Sequence, residues 1–166
     1  MAFQYRNVYW LWVSAAVMLA DQVSKQLIVR HLGWFDVQPV IPHFNLVHMR
    51  NTGAAFSMFA SASPVFFILL ATVVSGGILW WLRRNPRGQT LVAGALALIL
   101  GGALGNVIDR ATRGYVVDFL DFYWADWHFA AFNVADSAIT VGAALLILDM
   151  LLDNRRARAA SAGAKN

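Results

Sequence analysis

The chain has 166 residues, of which 59% are hydrophobic and only 13% are charged, and its mean hydropathy is +0.55. A soluble domain of this size could not bury so much apolar surface, so the composition predicts a single-domain integral membrane protein. The absence of cysteine excludes disulfides and thiolate chemistry. The net charge of +4 does not indicate a nucleic-acid partner, because the basic residues lie beside apolar runs and not on one soluble face.

Four apolar runs predict four membrane-spanning helices, since about 20 residues at 1.5 Å each cross the hydrocarbon layer. The predicted spans are about 8–29, 64–82, 90–108 and 132–152, followed by a basic tail, 153–166, that is predicted to be disordered. Between the first two spans, the stretch Gly33–Ser63 is rich in turn residues and predicts short strands outside the bilayer. The predicted fold class is therefore membrane all-α, with a small extracytoplasmic β-region between helices 1 and 2.

Residues 54–60, with the sequence AAFSMFA, fit a short amphipathic helix on the membrane surface and a loop equally well. We expect this segment to act as a lid over a site that opens towards the bilayer.

The distribution of Lys and Arg residues predicts the orientation of the chain in the membrane. With the N-terminus in the cytoplasm, eight of the 13 Lys and Arg residues lie on the inner side and five on the outer side. This bias predicts that both termini are cytoplasmic and that Asp109–Ala131 faces outward.

All nine acidic residues are aspartates, and five of them lie between Gly101 and Asp136. A carboxylate near hydrocarbon depth is costly, so its presence there is a functional hypothesis by default. Asp118 follows the turn residue Gly114 and a short strand-like run, whereas Asp136 lies about one turn inside the last span. Asn133 and Asp136 are three residues apart and share a helix face. We predict that Asp118 and Asp136 meet at one depth near the outer boundary and form a pair that performs chemistry.

The third predicted span ends in a polar group of residues. Gly101 and Gly105 are spaced for close packing against a neighbouring helix. Asn106, Asp109 and Arg110 follow at the outer end of the same helix. For Asp109 and Arg110 we favour a structural polar network, in which Asp109 pairs with an arginine.

Asp21 and Lys25 lie four residues apart near the outer end of the first span. They fit a proton-relay pair and a self-neutralising structural pair equally well. Other chemistries lack their residues: a His-Glu-x-x-His zinc protease needs glutamate, which is absent, and there is no Gly-x-Ser-x-Gly nucleophile elbow. The four histidines lack ligand spacing and are expected at the surface or at the membrane interface. We therefore predict no metal and no cofactor.

Five motifs occur in order along the chain, from the first span to the last. They are DQVSK at 21–25, NTGAAF at 51–56, GGALGNVIDR at 101–110, GYVVDF at 114–119 and FNVAD at 132–136. Each is weak alone, but with these motifs in this order and four spans the chain closely resembles the lipoprotein signal peptidases (signal peptidase II) of bacteria.

The resemblance implies an intramembrane aspartyl endopeptidase that removes the signal peptide from a prolipoprotein, just before a cysteine that carries diacylglycerol. It implies that Asp118 and Asp136 are the catalytic pair. The other implied roles are substrate binding by Asn51, Gly53, Asn106, Arg110 and Asn133, and structural support by Asp21, Lys25 and Asp109. It also implies a multi-pass protein of the bacterial cytoplasmic (inner) membrane, with its site near the periplasmic face. We expect a monomer whose partners are the lipidated prolipoprotein and membrane lipids.

The alternative is a small proton- or ion-coupled transporter or a structural membrane subunit, which would also carry buried acids. A transporter typically shows repeat symmetry, and none is visible in this sequence.

Overall fold

The computed structural model of the chain describes residues 7–53, 62–84 and 88–163, without the side chains of residues 8 and 154–163. Four helices form a bundle, and a small sheet lies at the end where α1 and α3 stop and α2 and α4 begin. The helices are α1 (Leu11–His31, after a 3-10 turn Val8–Trp10), α2 (Pro64–Arg84), α3 (Thr90–Arg113) and α4 (Val134–Gly163). The strands are β1 (Val37–Ile41), β2 (Phe44–Asn51), β3 (Val116–Trp124) and β4 (Trp127–His128).

Helix α3 lies at the centre of the bundle and packs against each of the other three helices. Its buried face contributes Val92, Ala93, Leu96 and Leu100 to an apolar cluster with two residues of α2. By contrast, large apolar side chains on the outer face of α2 are exposed, for example Val73 at 73%. An apolar outer surface of this kind suits a lipid environment.

The glycines of α3 lie where helices approach most closely. A Cβ atom at Gly101 would lie 2.6 Å from the backbone oxygen of Ser14 in α1, and one at Gly105 would lie 2.6 Å from Asp21 Oδ2. Any side chain at these two positions would separate α1 from α3. The predicted packing role of Gly101 and Gly105 is thus confirmed.

Three helices in the described part of the chain are long and apolar enough to cross a membrane: α2, α3 and Val134–Asp153 of α4. The predicted count of four spans is not confirmed, because α1 does not reach the same hydropathy. The physical reason is its polar second half, which carries Asp21 and Lys25. Both side chains are fully buried against the bundle.

Two helices extend beyond the predicted spans. Helix α3 continues past residue 108 to Arg113, and ends there because Gly114 adopts the left-handed conformation (φ 80°) and donates its N–H to the Arg110 carbonyl. Helix α4 continues to Gly163, so the tail predicted to be disordered is helical over residues 153–163. Its Ala and Arg content favours helix. Residues 164–166 and the proposed lid, 54–60, lie outside the described residues.

The sheet is antiparallel with the strand order β1-β2-β3-β4. The predicted location of the β-region, between helices 1 and 2, is correct for β1 and β2 only. Strands β3 and β4 lie between α3 and α4. Strand β2 pairs with β3 so that Asn45 faces Asp121 and Met49 faces Asp118. The pairing is long-range because α1 and α3 pack together, which brings the segments that follow them side by side.

Candidate active site

Asn133 begins helix α4 and organises its first turn. It precedes Val134, the first helical residue, and its Oδ1 accepts a hydrogen bond of 2.9 Å from the backbone N–H of Asp136. This is an N-cap, in which a side-chain oxygen satisfies an otherwise unpaired helical N–H. Asp21 Oδ1 accepts the neighbouring N–H of Ala135 at 2.9 Å. The first turn of α4, which carries Asp136, is therefore held from two sides.

Asp118 is buried in β3 between two asparagine amides. Its Oδ1 accepts a hydrogen bond from Asn133 Nδ2 at 2.7 Å, and its Oδ2 accepts one from Asn51 Nδ2 at 2.9 Å. Asn51 is the last residue of β2, and its own Oδ1 accepts the N–H of Gly53 at 2.9 Å. The end of β2, the middle of β3 and the start of α4 are thus joined at one carboxylate.

Asp136 is the third residue of α4, and its Oδ1 accepts a hydrogen bond from Asn106 Nδ2 at 2.8 Å. Asn133 links the two aspartates, because it donates to the Asp118 side chain and accepts from the Asp136 backbone. The structure therefore brings together the two carboxylates that the sequence singled out, within one network of amides.

The pKa of Asp118 is raised from an ordinary value of 3.8 to about 7. Burial is the largest cause, because it penalises the charged carboxylate, and the negative charge of Asp136 acts in the same direction. The hydrogen bonds from Asn51 and Asn133 and the charge of Lys25 lower the same pKa. A buried carboxyl whose pKa is raised to about 7 beside a second carboxylate is the pattern of an acid–base pair.

A buried ionic cluster lies next to the pair. Lys25 Nζ lies 2.8 Å from Asp21 Oδ2 and 3.0 Å from Asp109 Oδ2, and all three side chains are fully buried. Asp109 also pairs with Arg113 one turn further along α3, and accepts the N–H of Val117. Two aspartates and two cations form a closed, neutral cluster. This arrangement favours the self-neutralising pair over the proton relay for Asp21 and Lys25.

Arg110 turns away from the ionic cluster, which the preferred network hypothesis did not predict. Its Nη2 donates to the Gly53 carbonyl at 2.6 Å, and its guanidinium lies 4.6 Å from the centre of the Phe67 ring. The arginine that pairs with Asp109 is Arg113 and not Arg110. The spacing of four residues between them on one helix is the signal that could have indicated this pairing.

A cavity of about 700 Å³ opens beside Asp136. Its walls are mostly apolar and come from α2, α3, α4 and residues 129–132, and include Phe67, Leu70, Val74, Ile99 and Ile139. Four of the five predicted substrate-binding residues line it: Asn51, Gly53, Asn106 and Arg110. Asn133 is fully buried behind Asp118 and is not part of this lining. No pattern in the sequence indicated the apolar lining from α2.

Within the described residues, no group of three or more His, Cys, Asp or Glu side chains is placed to hold a metal ion. His48, which was expected at the surface or at the membrane interface, is 2% exposed. Its ring stacks 4.0 Å from that of Trp34, and its Nδ1 lies 2.9 Å from the Leu32 carbonyl. It belongs to the packing between the end of α1 and the sheet.

Comparison with known families agrees with this geometry. The family model for signal peptidase (SPase) II matches residues 13–152, which include all of the site described above. The chain belongs to the signal peptidase II family.

Curated relatives carry the name lipoprotein signal peptidase. The protein from Alteromonas mediterranea is 48% identical over 151 residues, which are 89% of this chain and 83% of that protein. The protein from Haemophilus influenzae is 44% identical over 150 residues, 89% of this chain and 88% of that one. A solved bacterial membrane enzyme superposes with a TM-score of 0.83 at 32% identity, covering 93% of this chain and 94% of that one. Signal peptidase II membership identifies a membrane peptidase, which disfavours the transporter and structural-subunit alternatives.

Proposed function

We propose that the chain is an aspartic endopeptidase that removes the signal peptide from diacylglyceryl-modified prolipoproteins, and that Asp118 and Asp136 are its catalytic pair. The observation that supports this most directly is the pair itself: two buried carboxylates joined through Asn133, one of them at the wall of an apolar cavity. Family membership supports the reaction class, and the geometry supports the choice of Asp118 and Asp136 as the reacting residues.

The chemistry follows from one proton held by two carboxylates. The ionised aspartate accepts a proton from a water molecule, whose oxygen attacks the scissile carbonyl carbon, while the protonated aspartate donates its proton to the carbonyl oxygen. When the tetrahedral intermediate breaks down, the proton taken from water moves to the departing amide nitrogen as the C–N bond breaks. One hydroxyl of the intermediate returns a proton to the other aspartate, which leaves a carboxylic acid and restores the pair. The pKa of Asp118 near 7 suits this exchange, because the pair then gains and loses a proton at little cost near neutral pH.

The cavity suits a lipidated substrate. Its apolar walls between α2 and α4 can accept acyl chains, whereas Asn51, Asn106 and Arg110 offer polar groups at the end nearest Asp136. We propose that these three residues, together with Gly53, position the peptide. Asn133 contributes by fixing the orientation of Asp118, because it is buried behind that carboxylate and does not reach the cavity.

We also propose a four-span monomer in the bacterial inner membrane with both termini in the cytoplasm. The α1 helix has 21 residues, long enough to cross the hydrocarbon layer at 1.5 Å each. The charged side chains of Asp21 and Lys25 in the middle of α1 are buried within the bundle. Arg83 and Arg84 end α2 at the opposite end of the bundle from Asp118. The excess of basic residues at that end supports a site near the periplasmic face.

The test is cleavage of a lipidated prolipoprotein by the purified protein and its Asp118→Asn and Asp136→Asn variants. Asparagine keeps the shape of each side chain but can neither accept the proton from water nor hold the shared one, so a loss of at least about 100-fold in turnover is expected. Asp126→Asn is the matched control, because Asp126 is an exposed carboxylate in the turn between β3 and β4. Turnover close to wild type in either dyad variant would refute the proposal.

A further inference from the structure

Asn106 lies between the buried ionic cluster and the catalytic pair. Its Oδ1 accepts a hydrogen bond from Lys25 Nζ at 2.9 Å, and its Nδ2 donates to Asp136 Oδ1 at 2.8 Å. A single amide thus connects a cation in α1 to a carboxylate in α4. Lys25 does not line the cavity, and its hydrogen-bonded connection to Asp136 runs through this amide, while its charge also acts on Asp118 through space.

We infer that Lys25 is a positioning residue for catalysis, which fixes the orientation of the Asn106 amide so that its N–H group points at Asp136. This inference rests on the proposed function, and it gives Lys25 a role beyond support of the fold. The argument begins with hydrogen-bond capacity. An ammonium group has three donors and no acceptor, and Lys25 Nζ has three acceptors within 3.0 Å: Asp21 Oδ2, Asp109 Oδ2 and Asn106 Oδ1.

An amide side chain has an acceptor on one side and a donor on the other, so a cation on one side determines what the other side presents. If the Asn106 amide were rotated by 180°, its NH₂ would face the ammonium and its oxygen would face the Asp136 carboxylate. Both contacts would then be repulsive in a buried site. Lys25 therefore excludes the rotated amide.

The other two amides of the site are also fixed by a donor to their oxygen, but that donor is a backbone N–H. Asn51 and Asn133 each donate to Asp118, and each has its oxygen held by a backbone N–H, from Gly53 and Asp136 respectively. Asn106 differs because it lies inside α3, where backbone N–H groups are already used by the helix. The ammonium of Lys25 takes the place that a backbone N–H holds for the other two.

The effect of Lys25 has to be separated from the charge of its surroundings. The charged groups around the catalytic pair are Asp21 and Lys25 from α1, and Asp109, Arg110 and Arg113 from α3. Lys25→Met alone would leave a buried carboxylate without a partner and is expected to impair folding. The double substitution Asp21→Asn/Lys25→Met removes one charge of each sign, so the cluster stays neutral while Asn106 loses its cation.

The experiment is a mutant cycle between Asp21→Asn/Lys25→Met and Asn106→Ala, in which kcat and KM for a lipidated prolipoprotein are measured from pH 5 to 9. Each arm is expected to lower kcat by roughly 10- to 100-fold, the range for loss of a hydrogen bond to a charged group. Combining both arms should lower kcat no further than either arm alone. In Asp21→Asn/Lys25→Met, KM should remain within about twofold of the wild-type value, because Lys25 does not line the cavity. The acidic limb of the kcat profile should move to higher pH by about one unit in each arm, since the ionised pair has lost a donor.

Ser14→Ala is the matched structural control. Ser14 is a buried residue of α1 that donates to the Ala97 carbonyl of α3 at 2.8 Å, at the same helix interface but away from the site. Its loss should reduce thermal stability and leave the pH profile unchanged. Multiplicative losses of kcat in the cycle, or an unmoved acidic limb in the charge-neutral variant, would overturn the positioning role. A wild-type protein that does not cleave the lipidated substrate would instead overturn the proposed function.

Discussion

Asp118 should make the stability of the protein depend on pH in a direction opposite to that of most carboxylates. Its pKa is about 7 in the folded chain and 3.8 ordinarily. Between about pH 4 and pH 7 the unfolded chain has therefore lost this proton while the folded chain retains it. Folding is favoured at low pH, and this contribution is lost as pH rises through 7. At 1.36 kcal/mol per pH unit, the loss between pH 4.5 and pH 8 is about 3 kcal/mol.

Asp118→Asn removes this term, because asparagine does not titrate. The free energy of unfolding, measured in detergent micelles at pH 4.5 and pH 8, should fall by about 3 kcal/mol more in wild type than in the variant. Asp126→Asn, an exposed position in the same β-region, should follow the wild-type curve. Wild-type and Asp118→Asn curves that stay parallel to within about 0.5 kcal/mol would show that Asp118 keeps an ordinary pKa, and would refute the reasoning.

Three further predictions follow from packing, chemistry and topology. Gly105→Ala should destabilise the protein by about 1 to 3 kcal/mol in thermal unfolding, because its Cβ would lie 2.6 Å from Asp21 Oδ2. Gly76→Ala, whose Cβ would meet nothing within 4 Å, should be neutral or slightly stabilising. Cleavage should persist in EDTA, because the proposed mechanism uses no metal; loss of activity that zinc restores would contradict it. In this cysteine-free chain, a cysteine placed at Arg113 should react with an impermeant reagent outside intact cells and one at Arg84 should not; the reverse pattern would contradict the orientation.

Local patterns in the sequence were sufficient to find the polar residues of the site. Asn133 caps the helix in which Asp136 lies three residues later, and Asp21 and Lys25 form an ion pair four residues apart, as the helical repeat predicts. The glycines at 101 and 105 marked a close helix contact for the same reason. Such spacings indicate which side chains share a face of one element.

Contacts between distant segments could not be predicted in this way. Asn51 donates to Asp118 across 67 residues, and this contact depends on how β2 pairs with β3. The extent of β3 was missed because a strand buried on both faces lacks the alternation of polar and apolar residues that identifies a half-buried one. The burial of His48 against Trp34 depends on tertiary packing that its neighbours in sequence do not reveal.

The polar half of α1 shows how the site and the fold depend on each other. Asp21 and Lys25 lower the hydropathy of α1, and a charged side chain in lipid costs about 2.5 to 3.5 kcal/mol on insertion scales. The structure avoids this cost because Gly105 allows α1 to approach α3, where Asp109 and Arg113 complete the neutral cluster. The same cluster holds the first turn of α4 through Asp21 and reaches Asp136 through Asn106. Asp21 and Lys25, which lower the hydropathy of α1, are therefore the residues that hold the proposed catalytic carboxylate of Asp136 in place.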